Sequence, residues 1–585
     1  MKLSSEDEVI VADAVDARPA SGVPRTEVAS APARQPLIAR FLPSLTDVVF
    51  LMPLVVILRT GGPKMMLGDG DTGWHLRAGQ WIVANGRVPD HDIFSFTMSG
   101  KPWFAWEWLW EVVFGWMQAQ WGMAAVLFGS LLVIATTSAL LYRLALRTSG
   151  NAAIAVAVSL AASFVTSIHW LARPHLLTLL FVVIFLSLLE RAETGKTRVL
   201  LLLPALMIVW TNVHGGFLAG VILTAAYCGG ALLNWAIDTG AEARAEARVR
   251  ARRYAAVTLA CIAATFVNPY GYHLHIHIYR YLSDPFVAQN VIEFGSLNFG
   301  HPIGKYIEAL LLLGAAVAAW NCYRRRFVFP LLFLAWAHVA LVSVRHVPVL
   351  AIIAAPAVAQ GLAELFAALR KADAARWLRR LAGGIDRVGA EMCEIERIGR
   401  IPVLSVVLAA GFFLTLRAQP NELFRAEYDP KRFPDAAVDL LGRPEFRTGV
   451  FTQDTWGGFL VYRLYPNFKT FIDGRSDFYG EQFDRKYLDV MNCKHDWQQT
   501  LDRYGIHAVV LPVDAPLAGV LRESARWRAV YDDKVAIVFR SVAAIASASV
   551  AVQAPAVPDG GISAIARSRI SNPVIRTDHH PTRGE

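Results

Sequence analysis

Residues 122–142 read GMAAVLFGSLLVIATTSALLY, an apolar run that contains no charged side chain. Its length matches the roughly 20 residues that a helix needs to cross the hydrocarbon core of a bilayer. The whole chain has the same character, since 55% of its 585 residues are hydrophobic, only 18% are charged and the mean hydropathy is +0.38. Soluble domains carry about a quarter charged residues. The composition therefore excludes a soluble globular enzyme and predicts a polytopic α-helical membrane protein.

Similar apolar runs recur along the chain and predict about 11 transmembrane helices, several of them short for a complete crossing. They are residues 46–60, 122–142, 152–168, 175–190, 198–211, 215–236, 254–268, 305–321, 327–343, 347–366 and 401–417.

Arginine is concentrated in alternate connections between these runs, at 143–150, 190–198, 237–253, 322–326 and 367–400. Basic loops remain on the cytoplasmic side of a membrane. The chain is therefore predicted in the cell inner (plasma) membrane, with its N-terminus cytoplasmic and its C-terminal part extracytoplasmic. The net charge of +9 reflects this orientation, so no nucleic-acid partner is predicted. The 5 scattered cysteines predict neither a disulfide framework nor a thiolate zinc site.

The composition divides the chain into a membrane body with two polar tails and an outer domain. We predict a transmembrane domain at 44–420, whose first external loop is 61–121, between disordered tails at 1–43 and 542–585. Strand-like runs alternate with helical stretches over 430–541 and predict a small extracytoplasmic α/β domain there. The expected strands are 449–452, 469–472, 508–511 and 536–539.

The first external loop contains the stretch GDGDTGWHLRAGQWIVANGRVPDHDIFSF at 68–96, followed by KPWFAWEWL at 101–109. Eight of the 17 tryptophans lie between Trp74 and Trp121, which is typical of rings at the headgroup level. The pattern after Asp71 predicts an interfacial amphipathic helix, with His75 and Arg77 off its apolar face. Asp69 and Asp71 are either site carboxylates or, in the simpler interpretation, part of a helix cap at Asp71 or Thr72.

Polar and cationic residues also lie at the predicted outer ends of several spans, beside this loop. Charge near membrane depth is costly and is therefore usually functional. A carboxylate there can deprotonate an acceptor hydroxyl, while Arg and His hold a phosphate leaving group. The predicted substrate-binding residues are His75 and Arg77 on the loop, together with Arg173, His175, Asn212, His214, Arg345 and His346 at span ends.

The loop motif resembles the first external loop of GT-C superfamily membrane glycosyltransferases, which use polyprenyl-phosphate sugars. The resemblance implies a GT-C-like fold and a catalytic or metal-binding acid on this loop. Asp69 and Asp71 match that acid by position, and Asp90, Asp92 and Glu107 are its companions, with Glu107 a catalytic and Asp92 a binding candidate. A divalent metal, Mg²⁺ or Mn²⁺, would be held by Asp69 and Asp71.

The layout of a membrane body followed by an outer α/β domain also resembles the catalytic subunit of oligosaccharyltransferase. The double tryptophan followed by aspartate that reads the acceptor sequon in that family is absent, because Asp454 precedes a lone Trp456. Asparagine glycosylation is therefore not supported.

These patterns predict a membrane glycosyltransferase that moves a sugar from a polyprenyl-phosphate donor to an extracytoplasmic glycan, lipid or protein acceptor. Its partners are membrane lipids, this donor and the acceptor. One alternative is a solute transporter or lipid flippase, although transporters place ionisable groups near the midplane and repeat half of their fold. Another is a noncatalytic scaffold whose outer domain recruits partners.

Overall fold

The computed structural model describes residues 43–398, 403–418 and 424–546, and these divide into two compact units. The first unit comprises Met1–His91 and Pro102–Asp429, and the second comprises Asp92–Lys101 and Pro430–Glu585. The short segment 92–101 of the predicted external loop thus belongs to the second unit. The predicted tail 1–43 lies outside the described residues except for its last one, and the predicted tail 542–585 lies outside them from residue 547.

The first unit is helical. Its helices are α1 (Leu45–Thr60), α2 (Asp71–Asn85), α3 (Trp108–Ser149), α4 (Ala152–Thr166), α5 (His175–Glu193), α6 (Leu202–Thr211), α7 (Leu218–Ile237), α8 (Ala241–Ala264), α9 (His273–Leu282), α10 (Pro285–Asn290), α11 (Gly304–Tyr323), α12 (Val328–Val342), α13 (Val347–Lys371), α14 (Arg376–Ile398) and α15 (Val403–Ala418).

Six helical segments among the described residues are long and apolar enough to cross a membrane. They are Trp108–Ser149, Ala152–His169, His175–Glu193, Gly215–Ile237, Gly304–Tyr323 and Val344–Lys371. Shorter apolar helices lie at Thr197–Thr211, Val328–Val342 and Leu404–Leu414. The chain is thus a helical protein with several helices suited to a bilayer.

Helix α1 begins with a capping box and is tied to α14 and α15 by buried polar contacts. The Ser44 side chain accepts the backbone N–H of Asp47, and the Asp47 carboxylate accepts the N–H of Ser44. The other Asp47 oxygen accepts from the backbone N–H and the hydroxyl of Ser405, at 3.1 and 2.5 Å. The Glu396 carboxylate accepts the N–H of Leu45 at 3.0 Å. These bonds satisfy the N–H groups that an exposed helix start leaves open.

Helices α2 and α3 pack against each other at unusually short range, because each presents a glycine to the other. A Cβ on Gly79 would lie 1.7 Å from the carbonyl oxygen of Glu111, and one on Gly115 would lie 2.8 Å from that of Leu76. Helix α3 is interrupted at Gly122, whose φ of 74° lies in the left-handed region. The part before Gly122 holds α2, and the part after it carries the apolar run of residues 122–142.

The second unit is a small α/β domain built on a 4-stranded sheet of order β1-β2-β4-β3. Strands β1 and β2 pair in parallel, whereas β4 pairs antiparallel with β2 and with β3. Phe451, Phe471, Val509 and Phe539 belong to its core. Its strands and helices are β1 (Val450–Thr452), β2 (Ala508–Pro512), β3 (Trp527–Asp532), β4 (Ala536–Ser541), α16 (Val438–Leu441), α17 (Asp454–Leu464), α18 (Ser476–Tyr479), α19 (Glu481–Met491), α20 (Trp497–Arg503) and α21 (Pro516–Arg522).

One expected strand of this unit was wrong, and one strand was not predicted. Residues 469–472 do not form a strand of the sheet, because Thr470 makes only an isolated bridge to Ser95 of the segment 92–101. The fourth member of the sheet is instead the strand Trp527–Asp532, which the sequence did not predict.

Segment 92–101 is fastened to the rest of the second unit by a buried ion pair. The Arg475 guanidinium donates to Asp92 at 2.8 Å and to Asp473 at 2.7 and 2.8 Å, and all three side chains are almost completely buried. Phe94 lies under the same guanidinium at 5.2 Å. Breaking such a buried pair from one side typically costs about 3–5 kcal/mol, so Asp92 contributes to the stability of this unit.

Candidate functional site

The start of α2 brings Asp69 and Asp71 to Arg173. Arg173 contacts an oxygen of Asp69 and one of Asp71, each at 3.0 Å, and an oxygen of Glu293 at 3.1 Å. Gly70 is the N-cap residue and supplies no side chain, while Asp69 accepts the backbone N–H of Asp71 at 3.1 Å. The simpler interpretation in which Asp71 or Thr72 caps the helix is therefore not the arrangement found.

Arg173 and Glu293 hold one another in their charged forms. Burial alone would lower the pKa of Arg173, but Asp69, Asp71 and Glu293 outweigh it and raise that pKa well above its ordinary value. Burial would likewise raise the pKa of Glu293, but Arg173 and Arg345 outweigh it and hold that pKa below its ordinary range. Three carboxylates face one guanidinium, so an excess of negative charge remains in this cluster.

A second group of side chains forms a chain of contacts centred on Glu107. One oxygen of Glu107 lies 3.4 Å from Nε2 of His75, and the other lies 3.5 Å from Nε2 of His214. On its far side, Nδ1 of His75 lies 3.0 Å from Glu111. The His75 ring stacks on Trp74 with centroids 3.5 Å apart and is 1% exposed. These contacts fix the orientation of the Glu107 carboxylate, which is itself 11% exposed.

The neighbours of His214 determine which of its ring nitrogens carries the proton. Nδ1 accepts the backbone N–H of Gly216 at 3.0 Å and lies 2.8 Å from the hydroxyl of Thr178. A backbone N–H can only donate, so Nδ1 is an acceptor and the proton lies on Nε2, which faces Glu107. Burial, followed by the positive charges of neighbouring groups, lowers the pKa of His214 well below its ordinary value. His214 is therefore neutral near pH 7.

Arg345 lies next to Glu293 through backbone contacts between their two segments. Ser343 donates its hydroxyl to the carbonyl of Glu293 at 3.1 Å, and the N–H of Val344 donates to the carbonyl of Gly295 at 3.0 Å. The Arg345 guanidinium lies over the Phe294 ring, 4.3 Å from its centroid. Within the part of the chain that the structure describes, no ion pair or hydrogen bond of this guanidinium is found.

Two further histidines, His169 and His175, flank Arg173 in the sequence, and His175 links His169 to His214 in space. The rings of His175 and His214 are 6.4 Å apart, and those of His175 and His169 are 5.5 Å apart. Nε2 of His175 is 2.7 Å from the carbonyl of His169. His346 follows Arg345 in the same short helical turn.

Most of the residues predicted from the sequence thus meet in one region of the first unit, and a few do not. The interfacial interpretation of α2 was wrong for His75, which is buried between two carboxylates. Arg77 donates to Gln80 at 2.9 Å. Asn212 accepts from the Trp108 indole at 2.8 Å and supports the loop. Asp92 lies in the second unit and is buried against Arg475, so we assign it no contact with substrate.

Sequence reasoning missed three members of the region, Glu293, His169 and Glu111. Glu293 lies in a stretch without a periodic hydrophobic pattern. It joins the site through its contact with Arg173, which is 120 residues away in the sequence. Glu111 looked like an ordinary loop carboxylate, but it is 1% exposed and contacts His75. Spacing along helix α3 relates Glu107 to Glu111, since residues four apart share a helix face.

A divalent metal at Asp69 and Asp71 stays a prediction. The described residues contain no group of three or more His, Cys, Asp or Glu side chains that could hold a metal ion. Asp69 and Asp71, the predicted ligands of Mg²⁺ or Mn²⁺, are both paired with Arg173. We therefore derive no step that passes through a metal.

Neither a scan against protein-family models nor a search of curated proteins finds a match for this chain. Among solved structures, it is similar to the crystal structure of ArnT from Cupriavidus metallidurans bound to undecaprenyl phosphate. The identity is 14%, the match covers 85% of this chain and 97% of that chain, and the TM-score is 0.41. A likeness of this extent assigns no activity, which must be argued from the residues of the site.

Proposed function

We propose that this protein is a membrane glycosyltransferase that moves a sugar from a polyprenyl-phosphate donor to an extracytoplasmic glycan, lipid or protein acceptor. The observation that carries the proposal is that carboxylates and a cationic side chain lie close together beside Glu293. Asp69, Asp71 and Glu293 bring an excess of carboxylate, while Arg345 next to them presents its guanidinium. Group transfer from a phosphate donor to a hydroxyl needs both a base and a cationic anchor.

The reaction breaks the bond between the anomeric carbon of the sugar and the phosphate oxygen of the donor. An oxygen of the acceptor hydroxyl forms the new bond to that carbon, and its proton passes to the Asp69 or Asp71 carboxylate. The electron pair of the broken bond remains on the polyprenyl phosphate, which leaves as an anion. Arg345 stabilises this anion by charge-assisted hydrogen bonds from its planar fork.

Arg173 has a different role from the one that its position in the sequence predicted. Its guanidinium contacts three carboxylates, so we assign it to positioning Asp69 and Asp71 instead of binding phosphate. Glu107, held by His75 and His214, is a second candidate base. Because His214 is neutral with its proton on Nε2, that N–H faces Glu107 and can donate to its carboxylate.

The same proposal includes a finer topology. We infer 11 membrane spans in a cell inner membrane, with the N-terminus cytoplasmic and the α/β unit extracytoplasmic. The basis is the arginine distribution among the loops. In that orientation the start of α2 and the starts of α5, α7 and α13 face the side on which a lipid-linked donor and an envelope acceptor are found.

The decisive test replaces the two aspartates with asparagine, singly and together. Asn keeps the size of Asp and removes its charge, so the double variant should fold while transfer of a labelled sugar from a polyprenyl-phosphate pool falls roughly a hundredfold or more. Asp90→Asn is the matched control, because Asp90 is on the same loop with a side chain that is 63% exposed. Repeating the assay with a chelator and with added Mg²⁺ or Mn²⁺ tests the predicted metal requirement.

Full transfer by the Asp69→Asn, Asp71→Asn double variant at matched expression would end the catalytic role of this loop. A scaffold protein would then explain the chain better. Uptake or lipid translocation by the wild-type protein without any sugar transfer would instead favour the transporter.

Arg345 gives a second, graded test of the same function. Lys keeps the charge of Arg but loses its planar fork, so Arg345→Lys should reduce transfer less than Arg345→Ala does. We expect a loss of roughly tenfold for Lys and more for Ala, chiefly as a weaker apparent affinity for the donor. Equal loss in both variants, or an effect on the acceptor alone, would contradict phosphate binding by Arg345.

A further inference from the structure

Helix α14 (Arg376–Ile398) is packed against the first unit by one face only. It contacts α13, α4 and α1. The side-chain nitrogen of Asn151, at the start of α4, lies 3.4 Å from a carboxylate oxygen of Asp386. A Cβ on Gly389 would lie 2.2 Å from the side-chain oxygen of the same asparagine. The less exposed positions recur every three to four residues, as expected for the packed face of a helix. The positions that keep this spacing are Leu378, Ala382, Ile385, Gly389, Met392 and Glu396, and Gly383, Gly384, Asp386 and Cys393 beside them are also half-buried.

A stripe of large apolar side chains runs along α14 beside this packed face and is exposed. Trp377, Leu381, Val388 and Ile395 are 65%, 50%, 48% and 50% exposed. They are spaced by four, seven and seven residues, which places them within about 40° of one another around a helix of 3.6 residues per turn. Four large apolar side chains in one exposed row form a surface that water solvates poorly.

Arginines occupy a second exposed flank of the helix. Arg376, Arg379, Arg380 and Arg387 are all exposed, and on the same helical count their directions lie roughly 80° to 180° from the middle of the apolar stripe. With Gly383 and Gly384 they line an open hollow. A Cβ at either glycine would meet nothing within 4 Å, so the arginine side chains surround space that a small anion can enter.

The position of α14 in the chain places these two flanks at a membrane boundary. The apolar segment Val344–Lys371 is suited to cross a membrane, and α14 begins only five residues after its end, at Arg376. A helix with an apolar flank and an arginine flank at the end of a span lies in the plane of the interface.

We propose that α14 is a membrane-surface helix that binds anionic phospholipid headgroups. Its apolar stripe enters the boundary of the acyl chains, and Arg376, Arg379, Arg380 and Arg387 bind lipid phosphates. The apolar stripe favours a lipid over a nucleic acid, because a nucleic acid would leave Trp377 and its row exposed to water. This binding site is separate from the proposed catalytic region and does not depend on the proposed function.

The test compares two triple variants of the full-length protein in nanodiscs. In Arg379→Gln, Arg380→Gln, Arg387→Gln three of the four arginines of the α14 flank are neutralised. In Arg244→Gln, Arg248→Gln, Arg252→Gln the same number of exposed arginines is neutralised on α8. Phosphatidylglycerol and phosphatidylcholine are supplied in equal amounts, and the lipids that remain bound after extraction are counted by native mass spectrometry.

The wild-type protein and the α8 variant should retain phosphatidylglycerol in preference to phosphatidylcholine. In the α14 variant the ratio of bound phosphatidylglycerol to bound phosphatidylcholine should fall roughly tenfold. Each basic side chain near a surface contributes measurably to anionic-lipid binding. An equal loss of preference in both variants would mean that only the overall charge of the protein matters, and it would contradict a binding site on α14. No preference in the wild-type protein would overturn it as well.

A fluorescence measurement tests the apolar half of the proposal separately. The signal of Trp377 is obtained as the difference between the wild-type protein and Trp377→Phe. Brominated phospholipid should quench this difference strongly, and aqueous acrylamide should quench it weakly. The reverse result would place the stripe in water and contradict the interfacial position of α14.

Discussion

At the scale of single residues, His214 shows how the backbone sets a protonation state that the side chain then uses. Gly216 follows it so closely that a Cβ there would lie 2.9 Å from Nδ1 of His214 and 2.6 Å from the Thr178 hydroxyl. The absence of that atom lets the N–H of Gly216 reach the ring. The Trp210 indole donates to Thr178 at 2.9 Å. The residues from Trp210 to Phe217 therefore act as one support for His214.

This arrangement makes a prediction about pH and stability. The pKa of His214 is lower in the folded protein than its ordinary value of 6.5, so the unfolded chain binds more protons between those two values. Folding stability contributed by this group is therefore complete above about pH 6.5 and falls as the pH is lowered further. In detergent, lowering the pH from 7.5 to 5.5 should lower the Tm of the wild-type protein more than that of His214→Gln, by roughly 2 °C.

The prediction concerns only the difference between the Tm changes of the two proteins, because other groups titrate in the same pH range in both of them. Gln at position 214 keeps an oxygen that can accept the N–H of Gly216, so the variant should fold. Parallel pH dependences in the two proteins would show that His214 does not resist protonation in the folded state.

At the scale of elements, the crossing of α2 and α3 positions the carboxylate and histidine groups. Helix α2 carries Asp71 and His75, and α3 carries Glu107 at its N-cap and Glu111 in its first turn. Close approach at Gly79 and Gly115 brings these side chains within contact distance.

Replacing Gly79 with alanine should therefore destabilise the protein, although alanine is the better helix former by roughly 1 kcal/mol. The new Cβ would lie 1.7 Å from a backbone oxygen, and overpacking of this kind typically costs about 1–3 kcal/mol. Gly519→Ala is the control, because Gly519 lies in α21 and a Cβ there meets nothing within 4 Å. Thermal unfolding should show a lower Tm for Gly79→Ala and an unchanged or higher one for Gly519→Ala. Equal changes in Tm for the two variants would mean that α2 and α3 can move apart without a loss of stability.

Local pattern predicted most of the elements but not their partners. The apolar periodicity after Asp71 predicted a helix there, and the structure has one at Asp71–Asn85. The burial of His75 was not predictable, because its partners Glu107 and Glu111 belong to another helix. The run 469–472 has the composition of a strand, but pairing depends on what lies alongside, and Thr470 forms an isolated bridge with Ser95 instead of joining the sheet.

At the scale of the whole molecule, distance along the chain limits what a single sequence can show. Asp92 and Arg475 are 383 residues apart and form a buried ion pair, and no local pattern relates them. Hydropathy and loop charge are properties of each segment, so the membrane character of the chain was predictable from them. The six long apolar helices agree with that prediction, while the full count of 11 spans and their direction stay predictions.

The direction of the spans can be tested with single cysteines and a membrane-impermeant maleimide. The positive-inside rule requires residues 61–121 and 430–541 on one side and residues 237–253 and 367–400 on the other. In a background with the exposed Cys322 changed to serine, Arg87→Cys and His495→Cys should be labelled from outside, because these side chains are 64% and 96% exposed. Arg248→Cys and Arg380→Cys should react only after permeabilisation. Labelling of Arg87→Cys and Arg248→Cys from the same side would contradict the topology and remove the outer face on which the proposed sugar transfer depends.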